Sequence, residues 1–169
     1  MVWPQGPESV EDFSKLPNSV RSRLSGDTWQ VPNVKAYFSN NYRGYVVSFY
    51  IEDYKNRTPF GINPLIINHP PEYAYTAIKD QTQSTYLEEI TYPLRDSLFV
   101  NGLEPYDEET KEPRYQSAVP FVVGDEEFET KVILRYYPSP IWARFISWLG
   151  IVISFILVWK ISKLILFEK

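Results

Sequence analysis

The sequence predicts an α+β protein with a small antiparallel sheet from two hairpins, a helical segment packed on that sheet, and one C-terminal transmembrane helix. Three patterns lead to this prediction. Apolar residues alternate with polar ones in two regions, they recur at intervals of three and four in a third, and an apolar block follows Ile141. An all-β sandwich followed by the same transmembrane helix is the alternative.

The length of 169 residues suits one domain with an appendage. At the start of the chain, Ser9 is an N-cap residue with Asp12 three positions later, so a short helix is predicted over 9–15. The first ten residues lack the basic and apolar regions of a secretory signal peptide. We expect three parts: an N-terminal arm with a short helix (1–30), the folded α+β domain (31–138) and the transmembrane helix (141–167).

The first predicted hairpin covers residues 34–54. Val34, Ala36 and Phe38 alternate with polar neighbours, and the sequence Asn-Asn-Tyr-Arg-Gly at 40–44 supplies turn residues. The second strand is predicted from period-two alternation. Its inward face is formed by Tyr45, Val47, Phe49 and Ile51.

A loop with a short buried strand, Pro-Leu-Ile-Ile, is predicted over 55–70, and a helical region over 71–102. In the helical region, apolar residues recur at intervals of three and four residues, which is typical of one helix face. Pro93 would bend or split this helix, and Asn101 with Gly102 would end it. The predicted stripe consists of Tyr75, Ile78, Thr82, Tyr86, Ile90, Leu94 and Leu98.

The second predicted hairpin lies within 118–137, with its turn at Gly124 and Asp125. Period-two alternation after this turn predicts a half-buried strand. One face of the hairpin is formed by Phe128, Thr130, Val132, Leu134 and Tyr136.

Residues 145–159 contain no charge and no proline, and Ile141–Phe167 would make a helix of roughly 40 Å at about 1.5 Å per residue. A hydrocarbon core needs about 20 residues. A helix that is apolar on all sides must be covered by protein or lipid, and the rest of this chain is too small to cover it. We therefore predict a bilayer span with interfacial tryptophans, snorkelling lysines and one small residue suited to helix–helix contact. These anchor residues are Trp142, Trp148, Gly150, Trp159, Lys160 and Lys163.

The sidedness of the span is predicted from its flanking cations. Lys160, Lys163 and Lys169 follow the apolar stretch, whereas Arg144 lies near its start. Cytoplasmic flanks carry an excess of Lys and Arg, so the C-terminus is predicted to be cytoplasmic and the folded domain extracytoplasmic. A tail-anchored protein with a cytoplasmic domain is the alternative, because no signal peptide is recognisable.

Composition argues against several classes of function. The chain has no cysteine and a net charge of −4, without a basic run that could neutralise nucleic-acid phosphates. It has seven glycines and no phosphate-binding glycine loop. The single His69 has no catalytic signature beside it, and the acidic stretch 125–129 lacks the spacing of a calcium loop. We therefore predict no enzymatic activity, cofactor or metal.

The chain is rich in tyrosine, and Tyr side chains are frequent at protein and sugar interfaces. The sequence predicts a single-pass adaptor or accessory subunit whose partners are the bilayer and a membrane protein. The alternative is an extracytoplasmic module that binds glycan or envelope polymer, and a hydrolase that uses paired carboxylates is a third possibility. The predicted partner or ligand surface is Tyr37, Tyr50, Tyr54 and Tyr137, with Tyr42 and Tyr136 on neighbouring hairpin positions.

Overall fold

A computed structural model describes residues 6–58, 61–79, 83–92 and 96–167 of the chain. They fall into two compact units, one that ends at Pro138 and one that begins at Ser139. The first contains helices and antiparallel strands, and the second contains one helix. The predicted α+β class with an apolar C-terminal helix is therefore confirmed.

Eight strands are present in the described residues. Their bounds are Ser19–Arg21 (β1), Val34–Ser39 (β2), Leu65–His69 (β3), Tyr86–Tyr92 (β4), Asp96–Leu103 (β5), Phe121–Val123 (β6), Glu126–Phe128 (β7) and Thr130–Pro138 (β8). Six of them form one antiparallel sheet in the order β1-β2-β8-β5-β4-β3, while β6 and β7 form a separate pair. The helices are Arg43–Asn56 (α1), Ala74–Ala77 (α2) and Ile141–Phe167 (α3), and single 3-10 turns occur at Val10–Asp12, Ser25–Asp27 and Pro71–Tyr73.

Helix α1 replaces the second strand of the first predicted hairpin, so that prediction is wrong. Half of its residues are aromatic or β-branched, which favours strands in isolation. However, Val46, Tyr50 and Tyr54 also lie four positions apart, and all three are buried against the sheet. Burial of this stripe in the core outweighs the local strand preference.

The N-terminus of α1 is satisfied by a residue far away in sequence. The backbone N–H of Arg43 donates to the Glu104 carboxylate at 2.6 Å. A carboxylate in this position accepts from an unbonded helix N–H group and interacts favourably with the helix dipole. Burial raises the pKa of Glu104, although this hydrogen bond opposes the shift. Because the contact joins residues 43 and 104, the local sequence could not indicate where α1 begins.

The long helical region predicted over 71–102 is also wrong. Its described residues contain one short helical segment, Pro71–Tyr73 followed by α2, and then the strands β4 and β5. Tyr86, Ile90 and Leu98 are spaced by multiples of four, which fits one sheet face as well as one helix face. In the structure these three side chains lie in one core cluster on the sheet. Pro93, the predicted kink, lies outside the described residues.

The second predicted hairpin is confirmed in its turn and its long strand. Gly124 has a φ of 65° between β6 and β7, a conformation that suits glycine. The five side chains predicted to share a face, from Phe128 to Tyr136, are all buried. Strand β8 pairs with both β2 and β5, so it occupies the middle of the sheet. The short strand β3 is also present, but its side chains are not buried as predicted.

The first part of the chain packs on the sheet. Ser9 caps the turn Val10–Asp12 with the reciprocal hydrogen bonds of a capping box, as predicted, but the helix predicted over 9–15 is only this single 3-10 turn. The side chains of Val10, Phe13 and Leu16 are buried with α1 against the sheet. Residues 1–5, which begin the predicted arm, lie outside the described residues.

A charged contact ties this N-terminal segment to α1. The backbone N–H and hydroxyl of Ser14 donate to the Asp53 carboxylate at 2.9 and 2.7 Å, and Arg57 approaches it at 3.0 Å. Burial by itself raises the pKa of Asp53, but these hydrogen bonds outweigh burial and the pKa is lowered. The carboxylate is therefore ionised at neutral pH, where it holds the segment in place.

Two apolar clusters lie on opposite faces of the sheet. The larger one packs α1 and the N-terminal segment against strands β2, β4, β5 and β8. The smaller one packs Val31 and α2 against the other face, around Val34, Leu87 and Ile133. The sheet is therefore covered on both sides near its middle, and its two outer strands, β1 and β3, remain at the edges.

Candidate interaction surfaces

Three of the four tyrosines predicted as a partner surface lie in the core. Tyr37 is 2% exposed, and Tyr50 and Tyr54 are fully buried. For Tyr50 and Tyr54 the reason is that their segment forms helix α1 and not the predicted strand. Helix α1 directs both side chains, which are one turn apart, at the sheet. Their prediction as a ligand surface is corrected accordingly. The observation that motivated a sugar-binding face is thereby removed.

The neighbouring tyrosines serve the fold as well. Tyr136 is buried, and its hydroxyl donates to the Pro7 carbonyl at 2.7 Å. The Tyr42 hydroxyl lies 2.7 Å from Glu129, which also binds Lys111 at 2.5 Å. These two contacts lower the pKa of Glu129.

Tyr137 remains partly accessible, with 37% of its surface exposed. Its ring meets Phe99 edge-on with centroids 5.3 Å apart, and the Arg135 guanidinium lies 4.7 Å from its centroid. The hydroxyl donates to the Ala77 carbonyl at 2.6 Å, so it holds the α2 region on the sheet. Of the four predicted surface tyrosines, this one alone presents substantial area to solvent.

His69 lies in a polar cluster on the same sheet face. Its Nε2 is 2.8 Å from one oxygen of Glu89, and the Ser97 hydroxyl donates to the other oxygen at 2.5 Å. The imidazole stacks on Phe99 with centroids 5.8 Å apart. The cluster therefore links β3, β4 and β5 side by side.

This cluster does not have the connectivity of a nucleophilic site. In a serine hydrolase the imidazole accepts the proton of the serine, and a carboxylate orients the imidazole from its other side. Here the Glu89 carboxylate lies between His69 and Ser97 and binds both. The arrangement is suited to cross-strand stabilisation.

The acidic stretch that the sequence placed at a turn is found there. Asp125, Glu126 and Glu127 lie in and after the β6–β7 turn and are exposed. Within the described residues, no group of three or more His, Asp or Glu side chains could hold a metal ion.

Strand β3 lies where the sequence predicts a short buried strand, but sequence reasoning missed its position at an edge of the sheet. It pairs with β4 on one side and forms an edge of the main sheet on the other. Leu65, Ile66 and Ile67 are 55%, 51% and 42% exposed, and prolines at 64 and 70 bound the strand. An apolar edge strand without charge is a template for pairing with another chain. The apolar run Pro-Leu-Ile-Ile predicts the strand, but nothing in the local sequence indicates its position at an edge.

Helix α3 has the bounds that the sequence predicts, Ile141–Phe167. Its segment Ile141–Ile165, 25 residues, is long and apolar enough to cross a membrane. The hydroxyls of Ser147 and Ser154 donate to carbonyls four residues earlier, at 2.9 and 2.8 Å, so they are satisfied within the helix.

The predicted anchor residues all lie on α3. Trp142, Trp148 and Trp159 are more than half exposed, and Gly150 has open space around its Cα. The Lys163 ammonium lies 5.7 Å from the Trp159 ring centroid, which places a cation beside an aromatic ring near one end of the apolar segment. Lys160 lies one residue after that tryptophan, inside the same helix.

In comparisons with known proteins, no family model, no curated protein and no solved structure matches the chain.

Proposed function

We propose that the protein is a single-pass membrane-anchored, non-catalytic adaptor or accessory subunit of a membrane assembly. The observation that carries the proposal is α3, a helix with exposed apolar side chains along the 25 residues of Ile141–Ile165. Outside lipid, and without protein packed against it, this apolar surface would be in contact with water, which is unfavourable. A lipid bilayer covers it without further subunits.

Lysine at the middle of α3 should release the protein from membranes. Ile153 and Ile156 lie near the centre of the apolar segment and are exposed. A charged residue there costs about 2.5 to 3.5 kcal/mol on insertion scales, so the double variant Ile153→Lys and Ile156→Lys should insert poorly. Extraction of membranes with alkaline carbonate should leave the wild type in the pellet and move this variant to the supernatant.

The matched control adds two lysines to the folded unit at exposed apolar positions, as Trp29→Lys and Val119→Lys. It should stay in the pellet. Anchoring by α3 would be disproved if the α3 double variant resisted extraction as the wild type does.

The proposal places the folded domain outside the cytoplasm and Lys160 and Lys163 at the cytoplasmic end of the span, following the bias of flanking cations. A chain without cysteine allows a direct test. Glu109 is exposed on a loop, so Glu109→Cys should react in intact cells with a maleimide that cannot cross membranes. Protection of this cysteine until the cells are lysed would establish the tail-anchored orientation instead.

The adaptor role is supported by the open edge of β3. Its free side can add one strand, and its exposed Leu and Ile side chains would pack against apolar side chains of that strand. We assign as its occupant an uncharged, apolar extended segment of another subunit, because β3 itself has no Lys, Arg, Asp or Glu.

A lysine on this edge should reduce recovery of the partner subunit. Ile66→Lys puts a charge on an exposed edge position, which blocks pairing in natural edge strands. Co-purification in mild detergent followed by mass spectrometry should show at least about a tenfold loss of the partner, equivalent to 1.4 kcal/mol. Val119→Lys is the control and should retain it. Recovery of the chain alone, or only as copies of itself, would overturn the role in a heteromeric assembly.

A further inference from the structure

One end of the main sheet is the end at which β8 stops and the chain continues toward α3. Strand β8 ends at Pro138, which pairs with Asp96 at the start of β5, and Asp96 pairs with Tyr92 at the end of β4. Leu65 at the start of β3 pairs with Thr91. Four neighbouring strands therefore begin or end at nearly the same level, along a line of roughly 14 Å at about 4.8 Å per strand spacing. We call this level the exit end of the sheet.

Ile62 is held at the exit end by two hydrogen bonds. The Tyr92 hydroxyl donates to the Ile62 carbonyl at 2.6 Å, and the Thr58 hydroxyl donates to the Tyr92 oxygen at 2.9 Å. The backbone of the loop 61–64 is therefore tied to the sheet, yet the Ile62 side chain is 62% exposed. A fixed loop thus presents an apolar side chain to the surroundings of the folded unit.

The exit end has accessible cations and no exposed carboxylate. Its loop and strand ends, residues 61–65, 91–92, 96–97 and 137–138, contain one carboxylate, Asp96, which is 3% exposed. Lys55 of α1 lies beside the loop, because its Cε would be 3.9 Å from a Cβ atom on Gly61. Lys79 is exposed two residues after the carbonyl that the Tyr137 hydroxyl binds. In the part of the chain that the structure describes, neither lysine forms an ion pair.

The other end of the sheet is acidic. Strand β8 is nine residues long, so its two ends lie about 27 Å apart. The loop 104–114 follows β5 at this other end, and the β6–β7 turn precedes β8 there. Membrane surfaces that contain acidic phospholipids repel carboxylates and attract lysines. The exposed acids of these two loops are Glu108, Glu109, Glu112, Asp125, Glu126 and Glu127.

The short link to α3 limits the distance between the exit end and a bilayer. Ser139 and Pro140 are the only residues between β8 and α3, so Pro138 and Ile141 are three Cα–Cα steps apart, about 11 Å at full extension. The headgroup layer on each side of the hydrocarbon core is about 5 to 8 Å thick. With Ile141 at the border of the hydrocarbon core, Pro138 lies within the headgroups or directly above them, whatever the angle of the helix.

We propose that the exit end of the sheet rests on the phospholipid surface of the bilayer that holds α3. Ile62 enters the headgroup layer, where its side chain loses contact with water, and Lys55 and Lys79 face lipid phosphates. The acidic end faces the aqueous phase. This inference rests on α3 as the membrane anchor, and it adds the surface by which the folded domain meets the bilayer.

Two single-cysteine variants of the full chain compare the two ends of the sheet. Ile62→Cys and Val122→Cys replace apolar residues that are 62% and 63% exposed, and Val122 lies on β6 next to the acidic turn. Each is labelled with a nitrobenzoxadiazole fluorophore in nanodiscs of phosphatidylcholine and phosphatidylglycerol, with and without lipid that carries a nitroxide on its headgroup. The nitroxide should lower the fluorescence at 62 at least about twofold and leave that at 122 nearly unchanged, because more than about 20 Å of β8 separates the two levels.

A third label, at Ile141→Cys, reports on the anchor itself. Quenching at 141 and 62 but not at 122 is the expected result. Quenching at 141 alone would overturn the surface contact and leave the anchor intact, whereas no quenching at 141 would refute the anchor and the inference with it. Equal quenching at 62 and 122 would also overturn the assignment, because the acidic end would then lie as close to the lipid as the exit end.

Lys55→Glu tests the contribution of charge. Combined with Ile62→Cys, it should reduce quenching at position 62, because phosphatidylglycerol repels the new carboxylate. Arg23→Glu makes the same charge change at an exposed position near Phe38, toward the acidic end, and should leave the quenching unchanged. No reduction by Lys55→Glu, or an equal reduction by both variants, would overturn the contact with lipid phosphates. Thermal unfolding of both variants should match that of the parent.

Discussion

Tyr50→Ala should lower the free energy of unfolding by about 3 to 5 kcal/mol, the usual cost of removing a large buried aromatic side chain. Tyr50 is fully buried on the inner face of α1, where its ring meets Phe49 edge-on with centroids 5.0 Å apart. Removal of the ring would leave a cavity between the helix and the sheet. The effect should be visible in denaturant unfolding of the full chain in detergent, followed by near-ultraviolet circular dichroism.

Tyr50→Phe separates the ring from its hydroxyl. Within the described residues the hydroxyl has no hydrogen-bond partner, and burial raises the pKa of Tyr50 far above its usual value, so the group stays neutral. Removing a buried hydroxyl that lacks a partner is neutral or stabilising. We expect Tyr50→Phe to unfold within about 1 kcal/mol of the wild type. A loss as large as that of Tyr50→Ala would show that the hydroxyl is bonded in the native protein.

A control for these variants is Tyr75→Ala. Tyr75 is exposed, and surface substitutions usually change stability by less than about 0.5 kcal/mol. The comparison tests whether burial, rather than tyrosine itself, determines the cost.

Gly102→Ala is the second change with a large expected effect. Gly102 on β5 lies directly opposite Tyr86 on β4, and a Cβ atom on Gly102 would overlap the Tyr86 ring. The ring is buried and its neighbours are packed, so it cannot move aside without disturbing the core. Such overpacking costs about 1 to 3 kcal/mol, and the severity of this contact places the expected loss at the upper end.

The cause can be isolated with a double-mutant cycle. Removing the ring by Tyr86→Ala should abolish most of the penalty of Gly102→Ala, giving a coupling of at least about 1 kcal/mol. Gly44→Ala is the matched glycine control, because a Cβ there meets nothing within 4 Å and α1 favours alanine. Additive effects of the Gly102 and Tyr86 changes would refute the proposed contact.

Helix α3 and the hairpin leading into β8 were predictable because their signals are local. A run of apolar residues that cannot be covered by a small domain indicates a membrane helix without any knowledge of tertiary contacts. In the hairpin, Gly124 marks the turn, and strict alternation after it places the side chains from Thr130 to Tyr136 on one face.

Helix α1 and strands β4 and β5 were not predictable in the same way. Residues four positions apart lie on one face of a helix and also on one face of a strand. Tyr50 and Tyr54 therefore fit a helix stripe, and Tyr86 and Ile90 fit a strand face. The choice depends on what lies opposite each segment. Glu104 at the N-terminus of α1 and the glycine opposite Tyr86 are long-range partners, and no local pattern reveals them.

The sequence by itself determined the apolar C-terminal helix, the α+β class and the late hairpin, because hydrophobic length, turn residues and alternation are properties of neighbouring residues. Tertiary structure alone decided which segment covers the sheet, which tyrosines are buried, and which strands lie at its edges. Strand order results from pairing between distant segments, such as β2 with β8. The exposed edge of β3 follows from that order, so this surface proposed for a partner became visible only in the folded chain.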